Sequence, residues 1–110
     1  MIDWHKVKEL RDEVGAEDFD EIVEVFLEEV EGHIADLLQK PDRSALAEDL
    51  HFLKGSALNL GFRDLAALCK TGEAASEAGQ ADTVDLNEVS TVYEASKAAF
   101  FADLTQLNAA

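Results

Sequence analysis

Apolar residues recur at the three- and four-residue spacing of an α-helix along almost the whole chain, and this periodicity limits the folds open to it. The single proline and most of the six glycines stand at the ends of the periodic stretches. No stretch alternates between apolar and polar residues for long enough to predict a β-strand. With 110 residues, 47% of them hydrophobic, the chain can bury one core. The pattern therefore predicts an all-α protein with a single domain spanning residues 1–110.

Five helices are predicted, and each break between them carries residues that start or end helices. The helices lie within 1–14, at 17–39, at 43–60, at 63–78 and from 85 onward. The residues that mark their ends are Asp3, Gly15, Pro41, Gly61, Gly79 and the capping-box pair Asp85 and Glu88. Four long helices with short connections predict an antiparallel up-and-down four-helix bundle, and the short additional N-terminal helix would cover one end as a lid.

The apolar faces of these helices predict the core. The predicted core residues outside 43–60 are Phe19, Ile22, Phe26, Val30, Ile34 and Leu37, then Leu65, Leu68, Cys69 and Ala75, and finally Leu86, Val89, Tyr93, Phe100, Leu104 and Leu107. The acidic run of Glu28, Glu29 and Glu31 is interpreted as a solvated helix face. Cys69 is interpreted as a small buried apolar residue.

Charge and composition exclude several classes of partner. A net charge of −15 argues against binding to nucleic acid or to an anionic membrane, because both are polyanions. No apolar run is long enough for a membrane span, and the charged N-terminus does not resemble a signal peptide. The lone cysteine fits a reducing compartment, so we expect a cytoplasmic protein. The segment from His51 to Gly72 holds three basic residues and one acidic residue, a local basic excess that suits a dianion such as a phosphoryl group.

His51 is predicted to point away from the core. The helix at 43–60 carries a clean apolar stripe of Leu46, Leu50, Leu53, Ala57 and Leu60. At 3.6 residues per turn, His51 lies roughly 140° from the centre of that stripe. Lys54 and Gly55 follow it on the same surface. A glycine inside a helix costs about 1 kcal/mol relative to alanine, so Gly55 indicates close approach of another molecule to this backbone.

An exposed imidazole is a nucleophile near neutral pH, able to attack an acyl phosphate and hold the phosphoryl group on a ring nitrogen. Lys54 could offset the charge of that phosphoryl group. The apolar residues Leu58 and Phe52 would give a docking partner a hydrophobic contact. A single histidine on a polar helix face is also commonly a solvated surface residue, and the spacing alone leaves both interpretations open.

The segment Leu50–Gly61, with sequence LHFLKGSALNLG, closely resembles the signature of histidine-containing phosphotransfer (HPt) domains. The resemblance extends to Ile2-Asp3-Trp4 with Gly15, to the run Phe26-Leu27-Glu28-Glu29, and to Leu65, Leu68, Cys69 and Glu73. Two positions depart from the usual pattern. Leu50 stands where a small residue often precedes the histidine, and Ala57 where a second serine is frequent; both lie on the core stripe.

The resemblance implies a four-helix bundle that carries a phosphoryl group between receiver-domain aspartates, from a hybrid histidine kinase to a response regulator. By position, His51 would be the phosphoacceptor and Lys54 its electrostatic support. Gly55 would leave room for the receiver, Ser56 would be a small polar neighbour, and Glu73 would hold the imidazole. We expect no cofactor on this chain, a divalent metal on the partner receiver, no autokinase activity, and a free-standing monomer.

Two alternatives belong to other classes of protein. The first is a non-phosphorylated helical adaptor that binds or sequesters receiver domains through the same surface. The second is a helical metalloprotein, suggested by the Glu-x-x-His spacing of Glu48 and His51. A di-iron carboxylate site needs a second such pair pointing inward, and the sequence has none.

Overall fold

The computed structural model describes residues 1–40 and 42–109, with side chains up to Leu104. It contains helices α1 (Trp4–Val14), α2 (Phe19–Gln39), α3 (Leu46–Asn59), α4 (Arg63–Glu77) and α5 (Leu86–Ala109). A 3-10 turn at Ala81–Thr83 precedes α5. Among the described residues there is no strand, only one isolated β-bridge between Ile2 and Phe62. The all-α prediction is confirmed. The predicted break at Pro41 lies outside the described residues, and the predicted core position Leu107 lies outside the described side chains.

Helices α2 to α5 form a four-helix bundle in which α2 contacts α3, α3 contacts α4, α4 contacts α5, and α5 returns to α2. The short connections between consecutive helices make neighbouring helices antiparallel. Of these four pairs, α3 and α4 contact each other most extensively and α2 and α5 least. The resulting molecule is elongated, with principal extents of 45 × 20 × 20 Å. None of the helices in the described part of the chain is both long and apolar enough to cross a membrane.

α1 covers one end of the bundle, as predicted. Asp3 caps it by accepting a hydrogen bond from the Lys6 N–H, and Gly15 ends it with a positive φ of 87°. The Asp3 N–H donates to the Gly61 carbonyl oxygen at 2.7 Å. The Trp4 ring stacks on Phe100 of α5, with ring centroids 5.5 Å apart. Backbone and aromatic contacts therefore hold α1 against the turn between α3 and α4 and against α5.

The core prediction is accurate for α3 and partly wrong for α2. All five residues of the α3 stripe are buried. On α2 the buried residues include Val23 and Leu27, whereas Ile22 and Phe26 are only half-buried. Because α2 has apolar residues on two adjacent faces, its sequence does not determine which face points inward, and packing against α3 and α5 selects the face. The predicted positions Leu68, Ala75 and Leu104 are also half-buried.

α3 begins at Leu46, three residues later than predicted. The chain turns at Ser44 and Ala45, and the Asp42 carboxylate accepts a hydrogen bond from the Ser44 N–H at 2.9 Å. The Arg43 guanidinium donates to the carbonyl oxygens of Ala81 and Val84 at 2.8 and 2.7 Å. These contacts hold the segment before α3 against the segment before α5, so Arg43 does not join the helix.

The interpretation of the acidic run on α2 is wrong for Glu31. Glu28 and Glu29 are exposed, but Glu31 is half-buried. Its carboxylate accepts hydrogen bonds from the Tyr93 hydroxyl at 2.5 Å and from the Lys97 ammonium at 2.8 Å, both on α5. Both hydrogen bonds lower the pKa of Glu31, and the hydrogen bond from Lys97 has the larger effect. Glu31 therefore links α2 to α5, which its sequence neighbours did not indicate.

Candidate functional site

His51 projects from α3 into solvent. The stripe that turns toward the core, from Leu46 to Leu60, is at most 2% exposed at every position. The His51 side chain, on the opposite side of the same helix, is 65% exposed. The predicted outward orientation of the imidazole is therefore observed. It follows from the 4-3-4-3 spacing of the stripe, which leaves only one way to bury α3.

Glu73 of α4 lies against both His51 and Lys54 of α3. Its Oε1 is 2.7 Å from Nδ1 of His51. Its Oε2 accepts a hydrogen bond from the Lys54 ammonium at 3.0 Å. Only 13% of the Glu73 side chain is exposed. One carboxylate thus contacts the imidazole and the neighbouring cation at the same time.

The close approach of α4 to α3 at this point depends on Gly72. A Cβ atom at residue 72 would lie 2.8 Å from Cδ1 of Leu50 and 3.3 Å from a methyl carbon of Val84. Leu50 immediately precedes His51, and Gly72 immediately precedes Glu73. The absence of a side chain at Gly72 therefore lets the backbone of α4 approach far enough for Glu73 to reach the imidazole.

The turn that returns the chain from α3 to α4 also requires a glycine. Gly61 has a φ of 72°, in the left-handed region. A Cβ there would lie 2.6 Å from the Asp3 carbonyl oxygen. Gly61 ends the α3 helix as predicted, and it also provides the space in which the N-terminal segment docks.

The charge state of Glu73 determines which nitrogen of His51 is free. Hydrogen bonds from Lys54 and then from His51 hold the pKa of Glu73 below its ordinary value. An ionised carboxylate only accepts hydrogen bonds, so the imidazole must donate to it through Nδ1–H. A neutral ring with its proton on Nδ1 carries its lone pair on Nε2. The arrangement therefore makes Nε2 the nucleophilic nitrogen of His51.

The predicted local excess of positive charge is reduced beside His51, because an acidic residue just outside the counted segment contacts Lys54. The three basic residues were counted over a segment that ends at Gly72, one residue before Glu73. In the folded chain the Glu73 carboxylate forms an ion pair with Lys54. Lys54, one helical turn from His51, is thus paired with an anion, whereas Arg63 and Lys70 are exposed on α4. A count along the sequence missed Glu73 because the contact is made across two helices.

The other predicted site residues lie around His51 on α3. Phe52 and Leu58 are 56% and 49% exposed, unusually high fractions for large apolar side chains. The Phe52 ring stands edge-on to the imidazole with centroids 6.3 Å apart. Gly55 is exposed, and a Cβ atom there would meet nothing within 4 Å. Ser56 is half-buried. The surface next to the imidazole is therefore apolar and open above Gly55.

Cys69 and the acidic residues near the site do not form a metal centre. Within residues 1–40 and 42–104, no three His, Cys, Asp or Glu side chains come close enough together to hold a metal ion. Cys69 is fully buried, as predicted, and burial raises the pKa of its thiol to about 12, with the nearby Glu73 carboxylate adding to the effect. Glu48 is exposed on α3. The Glu48 and His51 pair is not part of a metal cluster.

Gly72 is the functional position that the sequence interpretation missed. It is a mid-helix glycine like Gly55, and its cost in helix propensity was an available signal. The two glycines differ in their surroundings, since Gly55 faces open space and Gly72 faces Leu50 and Val84. Sequence alone does not distinguish a glycine that makes room for a partner from one that makes room for a neighbouring helix.

The comparison with protein families agrees with this geometry. The family model described as "Hpt domain" matches residues 21–109, from the first turn of α2 to the end of α5. No curated protein and no solved structure gave a significant match. Hpt domains carry phosphoryl groups on histidine in two-component systems, are not kinases, and interact with receiver domains and kinases. A match of this length over a bundle that presents His51 on α3 means that the chain belongs to the Hpt domain family.

Proposed function

We propose that this protein is a phosphorelay carrier in which His51 accepts a phosphoryl group from a phospho-aspartate of one receiver domain and passes it to another receiver domain. The observation that carries the proposal is the 2.7 Å contact between Nδ1 of a 65% exposed His51 and the Glu73 carboxylate. This contact occupies one ring nitrogen and leaves Nε2 with a lone pair on the solvent-exposed side chain.

In the forward step, the Nε2 lone pair attacks the phosphorus of the aspartyl phosphate in line with the bond that breaks. The new N–P bond forms as the P–O bond breaks, and the bonding pair leaves on the aspartate carboxylate. The ring keeps its Nδ1 proton and becomes positively charged. Glu73, already bonded to Nδ1–H, stabilises that charge as it develops. The reverse sequence at a second receiver restores the neutral imidazole.

Lys54 is proposed as the electrostatic support of the bound phosphoryl group. Its ammonium is bonded to Glu73 at 3.0 Å, one helical turn from His51. A flexible lysine chain can keep one N–H on the carboxylate while another turns to a phosphoryl oxygen, because the ammonium has three donors. Lys54 would thus compensate part of the charge of the phosphoryl group without giving up its position.

The receiver is proposed to dock over Gly55, with Phe52 and Leu58 as apolar contacts and Ser56 at the edge. The open space above Gly55 and the exposure of the two apolar side chains support this placement. The receiver would bring the divalent metal for its own aspartate, and this chain would need no cofactor. We further propose that the protein acts as a cytoplasmic monomer without autokinase activity, like the carriers of its family.

The test is transfer of a labelled phosphoryl group from a phosphorylated receiver. We expect label on the wild-type chain, stable in base and lost in acid, and no label on His51→Gln. His5→Gln is the matched control, since the His5 side chain is 84% exposed on α1, away from Glu73. Label that persists on His51→Gln, or that resists acid, would end the assignment. Receiver binding without any labelling would instead support the adaptor alternative.

A further inference from the structure

A second recessed surface runs between α2 and α5. In the bundle these two helices stand on the side away from α3 and α4, which carry His51 and Glu73. Two depressions of about 270 and 290 Å³ lie along this line. The first is bordered by Glu31, Leu38 and Glu94. The second is bordered by residues that include Glu24 and Phe101. We call the two depressions together the α2–α5 seam.

Large apolar side chains are exposed at both ends of the seam. Leu38 is 45% exposed at one end and Phe101 is 47% exposed at the other. The Phe101 ring stands perpendicular to the buried Phe100 ring, with centroids 5.4 Å apart. Below it, Phe19 and Val23 form a buried apolar floor. Exposed apolar groups over such a floor are typical of a surface that another molecule covers.

The rim of the seam is acidic. The four carboxylates that line the depressions belong to Asp20, Glu24, Glu31 and Glu94, and no lysine or arginine is among the lining residues. Glu31 is bonded to Lys97 between the two depressions. In the part of the chain that the structure describes, Asp20 and Glu24 take part in no ion pair. The seam therefore combines an apolar floor with a rim on which Glu31 is paired with Lys97 and on which Asp20 and Glu24 have no cationic partner among the described residues.

We propose that the α2–α5 seam binds a cationic amphipathic helix of another protein, with its apolar face on the floor and its lysines or arginines against the rim. The seam extends along α2 from Asp20 to Leu38, which at 1.5 Å per residue corresponds to about 27 Å, the length of a helix of about 18 residues. Recognition of this kind places apolar anchors at helical spacing in a groove between two helices. Complementary charges on the rim orient the bound helix.

A second copy of this chain fits the seam poorly. It would bring its own acidic rim to the same surface, and each copy carries a net charge of −15. An anionic membrane surface is repelled for the same reason. A basic partner of a different sequence satisfies both the floor and the rim. Because the seam faces away from His51, the partner could stay bound while a receiver exchanges a phosphoryl group, and the inference does not depend on phosphotransfer.

The probe is a synthetic 18-residue peptide of leucine and lysine at helical spacing, titrated into the full chain by fluorescence anisotropy. One control peptide has the same composition in scrambled order, and another has glutamate in place of lysine. We expect the ordered cationic peptide to bind about tenfold more tightly than the scrambled one, because only its apolar residues share one face. The glutamate peptide should not bind measurably.

Two variants of the protein locate the binding. Phe101→Ser changes an exposed side chain and should weaken binding of the ordered peptide by about tenfold, because an apolar contact is lost. The double variant Asp20→Asn with Glu24→Gln leaves the core untouched. It should weaken binding of the ordered peptide by about fivefold, because the ion pairs with the peptide are lost. The matched control is the double variant Glu29→Gln with Asp36→Asn. It removes the same charge from exposed positions that lie roughly 150° around α2 from the seam. Its affinity for the ordered peptide should change less than about twofold.

Equal weakening by the two double variants, or equal binding of the ordered and scrambled peptides, would mean diffuse electrostatic attraction and would overturn the proposal. A dimer that dissociates on Phe101→Ser would assign the seam to a second copy and would overturn it as well. His51→Gln should bind the ordered peptide like the wild type. The result for the seam is thereby separate from the result for the phosphorelay.

Discussion

The Glu73 carboxylate lies 2.7 Å from Nδ1 of His51, although 22 residues separate the two in the chain. The same carboxylate accepts a hydrogen bond from Lys54, so one largely buried anion orients both the imidazole and the neighbouring ammonium group. An imidazole held in this way cannot rotate freely, and its proton is kept on one nitrogen. The reactivity of His51 should therefore depend on Glu73 as well as on its own exposure.

Removal of the Glu73 carboxylate should slow phosphoryl transfer to His51. Glu73→Gln keeps an oxygen that can accept from Nδ1–H but loses the charge, and we expect a rate about tenfold lower. Glu73→Leu also loses the acceptor, and we expect a rate up to about a hundredfold lower, the range for a hydrogen bond to a charged group. Transfer from a phosphorylated receiver measures the rate, and ¹⁵N NMR of the imidazole measures the position of the proton.

Glu77→Gln is the matched control for these variants, because Glu77 is exposed one turn further along α4. It should transfer at the wild-type rate. If Glu73→Leu kept both the wild-type rate and the Nδ1–H tautomer, Glu73 would have a purely structural role.

The contribution of Glu73 to stability should disappear in acid. Lys54 and His51 hold its pKa in the folded protein below the ordinary 4.5. As the pH falls through the ordinary value toward the lowered one, the unfolded chain takes up the proton first, and the folded state loses its advantage. Urea unfolding should show Glu73→Gln less stable than the wild type above about pH 5, with the difference shrinking as the pH falls through 4.5 and below. A difference that is constant with pH would contradict the ionic contribution.

Alanine at Gly72 should destabilise the protein, although alanine is the better helix former. The added methyl group would lie 2.8 Å from the buried Leu50 side chain, and such overpacking typically costs about 1–3 kcal/mol. The control is Gly32→Ala on α2, where an added Cβ meets nothing within 4 Å and should stabilise by up to about 1 kcal/mol. Chemical denaturation measures both. Equal effects of the two substitutions would mean that α3 and α4 adapt to the methyl group freely.

Substitutions at Gly55 should separate helix stability from receiver access. Gly55→Ala places a methyl group in open space and should stabilise α3 by about 0.5–1 kcal/mol. Gly55→Trp should leave the fold intact but slow transfer by about tenfold or more, because the receiver aspartate could no longer approach His51 in line. Ala98→Trp, at an exposed position on α5, controls for the bulk of the tryptophan. Wild-type transfer by Gly55→Trp would place the docking surface elsewhere.

Much of the fold could be predicted because the information was local. Asp3, Gly15 and Gly61 mark helix ends through backbone preferences that act within a few residues. Where local information was ambiguous, the prediction failed. On α2, Ile22 and Phe26 compete with Val23 and Leu27 for the core, and only the positions of α3 and α5 decide between the two faces.

The sequence by itself determined the helices, the stripe that buries α3, and therefore the exposure of His51, because helical period and apolar spacing are properties of a single segment. The resemblance to HPt domains implied a contact between Glu73 and the imidazole, but the helical pattern did not, and only the tertiary structure shows how the contact is made. Glu73 reaches His51 because Gly72 admits α4 against Leu50, and that contact depends on the packing of two helices. The same packing pairs Lys54, one of the three basic residues of the segment from His51 to Gly72, with an anion outside that segment. Electrostatic interactions depend on distance in space and not on separation along the chain.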